Sequence, residues 1–334
     1  MNRRTFIQSA GLVATSLSAQ TQPPSPAKAG IKTTLMLEML KGSIEEEFEL
    51  AARAGFQSVE SLTQYAAWSD ADIERVKELC RSYRMGVDTV LAQQDWKKRP
   101  VSIVDPAHRE TFLGDVRKAI VCAQKLEIPH VSVTSGLSAA GKTVEEQYAS
   151  LTEGVKRAAD LVAAAKLTLL VEPLNSLVDH PGCFLTSCVD GLKLVREINL
   201  PHVRILFDIY HEQVMRGNLI RTLTEAAPYV SVFHVADNPG RHDPGTGEID
   251  YPNVYKAIQK TGYTGYIGME YRPLGDPLAS FTKAVNGLRA ALAAPDSVSS
   301  LLVHHVQQRQ PARISPDVVG QQSYQTDSAL RREA

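Results

Sequence analysis

Apolar and polar positions along this chain are organised on two length scales. Short apolar runs rich in β-branched residues occupy positions 33–38, 58–62, 86–91, 130–134, 168–174, 204–210, 230–236 and 266–271. Longer stretches with apolar residues at helical spacing alternate with them, at 43–54, 70–83, 107–126, 144–165, 189–198, 219–227, 253–260 and 278–293. Short continuous apolar runs predict strands buried on both faces, and a 3.6-residue period predicts helices with one buried stripe. A strand, a helix's length of chain and another strand call for a parallel sheet, because a tight turn cannot make a parallel crossover. Eight such units in about 260 residues fit the α/β class and a single (β/α)8 TIM barrel, placed at residues 31–294. An open doubly wound sheet is the other solution for such units. Against it, Met39-Leu40-Lys41-Gly42-Ser43 follows the first strand where a Gly-x-Gly-x-x-Gly phosphate loop would be needed.

The flanks read differently. Residues 1–30 look like an export signal and linker. Arg3-Arg4-Thr5-Phe6-Ile7 precedes a short uncharged apolar run at 11–19 that ends in the small residues Ser18 and Ala19. Paired arginines before Thr-Phe-Ile resemble a twin-arginine signal, which makes the periplasm the expected destination. The run is too short to stay in a bilayer as an anchor, so no stable membrane insertion is expected. Prolines 23, 24 and 26 mark the linker. Residues 295–334 turn polar without a sustained period and read as a poorly ordered tail.

Composition narrows the partners. A formal net charge of -1 with no dominant basic patch gives nucleic acid or an anionic membrane no electrostatic purchase, leaving a small-molecule substrate. A homodimer is the default assembly to test. None of the four cysteines forms a Cys-x-x-Cys pair, which speaks against a zinc or redox site. Cys183 and Cys188 are close enough in sequence to pair in an oxidising compartment, and the sequence leaves that open.

A barrel enzyme keeps its chemistry at the carboxyl ends of its strands. Four ionisable residues stand there in succession: Glu172 after Leu169-Leu170-Val171, Asp208 after Ile205-Leu206-Phe207, His234 after Val230-Ser231-Val232-Phe233, and Glu270 after Tyr266-Ile267-Gly268-Met269. Singly, each carboxylate could cap the next helix and the histidine could be a satisfied core residue. Together, three carboxylates and an imidazole at one barrel mouth would repel without a cation, and one divalent ion removes that cost. Oxygen-rich ligation favours Mn2+, Mg2+ or Co2+. The polar loop at 234–251 holds three glycines and two prolines, so turn chemistry sets its shape. Within it Arg241 offers a planar fork for a substrate carboxylate or phosphate, and His242 stands beside it. Asp250 reads as a helix cap. Trp96 could stack on a substrate or pack as part of a lid.

The run Ala236-Asp-Asn-Pro-Gly-Arg-His-Asp-Pro-Gly-Thr-Gly-Glu-Ile-Asp-Tyr251 closely resembles the hallmark loop of hydroxypyruvate isomerase-like proteins, members of the xylose isomerase-like barrel superfamily of sugar isomerases and epimerases. Val171-Glu-Pro-Leu-Asn175, Phe207-Asp-Ile-Tyr-His211 and Met269-Glu-Tyr-Arg272 match its other strand-end motifs. The resemblance spans roughly residues 32–294. It implies that Glu172, Asp208, His234 and Glu270 hold the metal and that Glu172 and Glu270 form the acid–base pair. It also implies that His211 and Arg241 contact substrate, and that Glu60 lines the pocket and holds His211. A histidine as third ligand matches the ketose epimerase branch, and an export signal departs from a central-metabolism isomerase.

The implied reaction is proton transfer between adjacent carbons of a hydroxy-carbonyl acid or sugar through an enediolate, with ketose 3-epimerisation as the variant on the same site. Two other classes use the same barrel. A metal-dependent hydrolase or endonuclease would call for two or three ions and more strand-end histidines. A non-catalytic sugar-binding barrel would not need both Glu172 and Glu270.

Overall fold

The structure is a computed structural model that describes residues 30–61, 63–93, 99 and 101–294. The export-signal reading, most of the linker, Trp96 and the C-terminal tail lie outside the described residues. Eight parallel strands close in sequence order: β1 (Lys32–Met36), β2 (Ser58–Ser61), β3 (Gly86–Leu91), β4 (His130–Thr134), β5 (Thr168–Glu172), β6 (Val203–Asp208), β7 (Val230–Val235) and β8 (Tyr266–Met269). β8 pairs back onto β1, with Thr34 opposite Gly268, so no edge is left unpaired. The open-sheet alternative is thereby excluded. The surrounding helices are α1 (Ile44–Ala54), α2 (Asp70–Tyr83), α3 (Arg109–Leu126), α4 (Val144–Ala164), α5 (Cys188–Ile198), α6 (Ile209–Met215), α7 (Leu219–Ala226), α8 (Tyr251–Lys260) and α9 (Pro277–Ala293). None among the described residues is long and apolar enough to cross a membrane.

Local sequence explains where these helices begin. Ser43 with Glu46, Ser69 with Asp72 and Thr143 with Glu146 form reciprocal capping boxes that satisfy the first free amides of α1, α2 and α4. Asp250 caps α8 by accepting from Asn253 N–H. The sixth apolar run, at 204–210, overshoots its strand. Asp208 accepts the backbone N–H of His211 at 2.9 Å, so the chain turns into α6 immediately after it.

The two faces of the strands feed different layers. Alternate residues such as Val171, Phe207, Phe233 and Ile267 pack outward against the helices in the main core. Their neighbours Leu170, Leu206 and Val232 point inward, with Tyr266 against them, and plug the barrel. Two residues further along β5, β6 and β7, the same inward face carries Glu172, Asp208 and His234. The ionisable residues therefore stand on an apolar floor. Cys183 and Cys188 are both free thiols, and the Cys183 sulfur sits 3.4 Å from the Ser135 hydroxyl.

Candidate metal centre and active site

Strand register brings the four candidate ligands together. Asp208 lies opposite His234, and His234 opposite Gly268, two residues before Glu270. Glu172, Asp208, His234 and Glu270 are all buried, and each offers a ligand atom within 4.8 Å of the other three. Divalent ions take ligands at about 2.0–2.6 Å, so one ion can reach all four. Two further observations fit an ion. Asp208 Oδ2, His234 Nδ1 and Glu270 Oε2 are buried without a hydrogen-bond partner among the described residues. His234 Nδ1 and Glu270 Oε2 approach to 2.8 Å yet lack hydrogen-bond alignment, as two donors to a common centre would. Charge agrees as well. The three ligand carboxylates outnumber the Arg241 guanidinium beside them, so the site favours a cation.

Glu60 does not hold His211. From β2 it reaches across the barrel and its Oε2 meets His234 Nε2 at 2.9 Å. With Nε2–H given to that carboxylate, Nδ1 keeps its lone pair for an ion, the usual way a carboxylate orients a ligand histidine. The space for this contact comes from Gly268. A Cβ there would stand 2.3 Å from Glu60 Oε1 and 2.9 Å from the His234 ring.

His211 is held instead by Asn175, whose Nδ2 lies 2.6 Å from its Nδ1. His211 Nε2 lies 3.5 Å from Asp208 Oδ2, beside the ligands. Arg241 also turns inward. Its Nη2 is 2.6 Å from Glu270 Oε1 and 3.7 Å from Asp208 Oδ2, with the guanidinium over the Tyr210 ring. It braces two ligands. His242 Nδ1 meets the Arg272 carbonyl at 2.8 Å.

Sequence reasoning gave Asp237 no role, yet it shapes the loop that delivers Arg241. Its buried carboxylate accepts the N–H groups of Asn238, Gly245 and Ile249. Its carbonyl receives Arg241 N–H, and Arg241 adopts a left-handed backbone with φ of 57°. An Asp beside a Gly- and Pro-rich run was the signal available in the sequence.

A family model described as the xylose isomerase-like TIM barrel matches residues 48–291. The chain belongs to this family. The hydroxypyruvate isomerase of Escherichia coli strain K12 is 35% identical over 242 residues, covering 71% of this chain and 92% of the relative. The 2-oxo-tetronate isomerase of Cupriavidus necator is 30% identical over 233 residues, covering 68% and 86%. Among solved structures, an AP endonuclease, family 2, from Brucella melitensis aligns with a TM-score of 0.70 and 27% identity over 77% of this chain and 98% of that one. The resemblance read from the motifs is thus correct: this is a hydroxypyruvate isomerase-like protein, and an isomerase.

The electrostatics of this xylose isomerase-like barrel depend on burial and crowding. Burial and the neighbouring Glu270 charge push Glu172 well above the carboxylate range. Burial lifts Asp208 to about 6 despite the pull of Arg241. Burial also acts on Glu270, but Arg241 and His234 outweigh it and keep that group ionised. His234 is held protonated because the charges of Glu60 and Glu270 overcome its burial. Ligands must shed their protons to bind a metal. Glu172, Asp208 and His234 hold theirs at low pH, so an ion must displace them there and affinity must fall. Calorimetric titration with Mn2+ is expected to show weaker binding and more proton release as pH drops through about 6. A pH-independent affinity would rule out these ligands.

Proposed function

We propose that this protein is a divalent-metal-dependent isomerase of a small hydroxy-carbonyl acid, moving a proton between adjacent carbons. The observation that carries the reading is the buried Glu172–Asp208–His234–Glu270 cluster at the barrel mouth of a chain whose curated relatives are named as isomerases of hydroxypyruvate and 2-oxo-tetronate. Three oxygen ligands and one nitrogen suit Mn2+, Mg2+ or Co2+. When bound, the ion supplies Lewis-acid stabilisation of the negative charge that develops on substrate oxygen.

The protein's own groups do the rest. Glu172 is the better placed base: it stands 3.8 Å from His234 Nδ1, whereas Glu270 is gripped by Arg241 and His234 at 2.6 and 2.8 Å. Glu172 takes the proton from the hydroxyl-bearing carbon next to the carbonyl. The freed electron pair forms the carbon–carbon double bond of an enediolate. The hydroxyl proton passes to the former carbonyl oxygen, and a proton returned to the former carbonyl carbon completes the isomerisation, with Glu270 the second carboxylate of the pair. Arg241 keeps Glu270 ionised and fixed.

The Brucella protein's name raises phosphodiester cleavage as a second reading. That chemistry commonly uses two metals about 3.5–4 Å apart. Among the described residues, one four-ligand group gathers, which supports proton transfer at a single ion. Export by the twin-arginine route is a separate proposal, carried by Arg3, Arg4 and the apolar run after them, and cell fractionation tests it.

The functional test is direct. Protein loaded with Mn2+ is expected to convert hydroxypyruvate to its aldehyde isomer, or a four-carbon 2-oxo-3-hydroxy acid to its 3-oxo isomer, followed by proton NMR. Chelation is expected to cut turnover by at least roughly 100-fold, with recovery on adding Mn2+, Mg2+ or Co2+. Full activity in a chelated sample shown to be metal-free would overturn the metal-dependent reading.

A further inference from the structure

Asn175 lies in the loop after β5 and is completely buried, three residues beyond Glu172. Its amide has one possible orientation. Oδ1 accepts the backbone N–H groups of Val178 at 3.0 Å and Asp179 at 2.9 Å, and those groups can only donate. Nδ2 therefore faces the other way, 2.7 Å from Asp179 Oδ2 and 2.6 Å from His211 Nδ1. A flipped amide would set N–H against N–H on one side and oxygen against carboxylate on the other. Asp179 is itself anchored, accepting the Tyr210 hydroxyl at 2.7 Å.

This pattern dictates the state of the histidine. An amide nitrogen has two N–H groups and no lone pair to offer. One N–H goes to Asp179 and the other to His211 Nδ1, which must accept. A neutral ring that accepts at Nδ1 carries its proton on Nε2. That Nε2 is buried, has no hydrogen-bond partner among the described residues, and lies beside Asp208 at the edge of the ligand cluster. We infer that Asn175 is a positioning residue that holds His211 with Nδ1 as the acceptor and the proton on Nε2, so that the ring gives the reaction a hydrogen bond. An imidazolium would put its Nδ1–H against the Asn175 N–H. A donor set in place beforehand where charge grows on a substrate oxygen acts without reorganisation.

The catalytic consequence rests on the isomerase reading, whereas the place of the ring proton does not. The test is long-range proton–nitrogen correlation NMR of the histidine rings in the full chain loaded with Mg2+, with His211 assigned by the loss of its signals in His211→Gln. The expected spectrum shows the His211 proton on Nε2 and an accepting Nδ1. Asn175→Asp places an acceptor where Nδ1 needs a donor and is expected to move the proton to Nδ1. Its kcat should fall roughly tenfold, less than the 10²–10³ of deleting a donor outright, with Mn2+ affinity changed by less than about twofold. A wild-type His211 protonated at Nδ1 overturns the inference, and this spectrum needs no variant to fold. Unchanged kcat in an Asn175→Asp protein with the shifted proton overturns the positioning role. An Nε2–H ring with an accepting Nδ1 in a protein that isomerises nothing would leave the lock standing and remove the isomerase reading.

Discussion

Replacing Glu172 with Gln is expected to slow isomerisation by roughly 10²–10⁴-fold, the usual worth of a positioned general base. The amide keeps the size of the side chain and an oxygen toward the ion, so the variant should still load metal when the metal is in excess. What it loses is the ability to hold the substrate's proton. Burial and the Glu270 charge raise the proton affinity of Glu172, which is what a base that must take a proton from carbon requires. Glu270→Gln should also be slow, but for a mixed reason. It takes away the partner that Arg241 meets at 2.6 Å and leaves a buried guanidinium poorly paired. Metal affinity and thermal stability should therefore fall in Glu270→Gln and change much less in Glu172→Gln. Steady-state kinetics at saturating Mn2+, with metal content measured on the same samples, separate the two. Equal losses of metal from both variants would argue that Glu172 is only a ligand.

The second large effect is expected at a residue with no side chain. Gly268→Ala would place a methyl group 2.3 Å from Glu60 Oε1 in a barrel interior with no slack. Glu60 must then leave His234 Nε2, and the ring loses the contact that keeps Nδ1 available. Losing such an orienting carboxylate typically costs 10–100-fold in metal affinity. Overpacking adds a stability penalty of about 1–3 kcal/mol. Glu60→Gln is the matched control, because its amide oxygen can still accept from Nε2–H and no strain is added. Its loss should be the smaller of the two. Calorimetric Mn2+ binding on both variants checks this. A Gly268→Ala protein that binds Mn2+ like the wild type would show that the Glu60–His234 contact does not prepare the site.

How much of this was legible in the sequence follows from the physics of each feature. Strands of a parallel barrel are buried on both faces, so they appear as continuous apolar runs, and eight of them could be counted. Glu172, Asp208, His234 and Glu270 were conspicuous because an ionisable group ending such a run needs compensation. Short-range capping was readable too, as at Asp250. At Asp208 the two readings were not alternatives: Oδ1 caps α6 while Oδ2 stays unpartnered beside the other ligands. The helix α6 itself was missed because Ile209-Tyr210 continues the apolar run of β6.

Contacts across the barrel were beyond reach. Glu60 and His234 are 174 residues apart in sequence, and only closure of the sheet sets them face to face. Nothing local told Glu60 to choose His234 over His211. Gly268 carried no signal for the same reason, since its role is space for a side chain from β2. The inward turn of Arg241 depends on a left-handed backbone position and on the Asp237 carboxylate that organises its loop. Asn175 was quoted within a motif, but its role emerges only when the amide's four neighbours are in view.

The most direct test of the central claim is solvent deuterium incorporation. Metal-loaded protein would be incubated in D2O with hydroxypyruvate and with a four-carbon 2-oxo acid, and each followed by proton NMR. Proton transfer through an enediolate predicts deuterium at the carbon that gains hydrogen, with the label lost on chelation and in Glu172→Gln. Conversion that proceeds with no deuterium in substrate or product would contradict a carboxylate base and point to direct hydrogen transfer between the carbons.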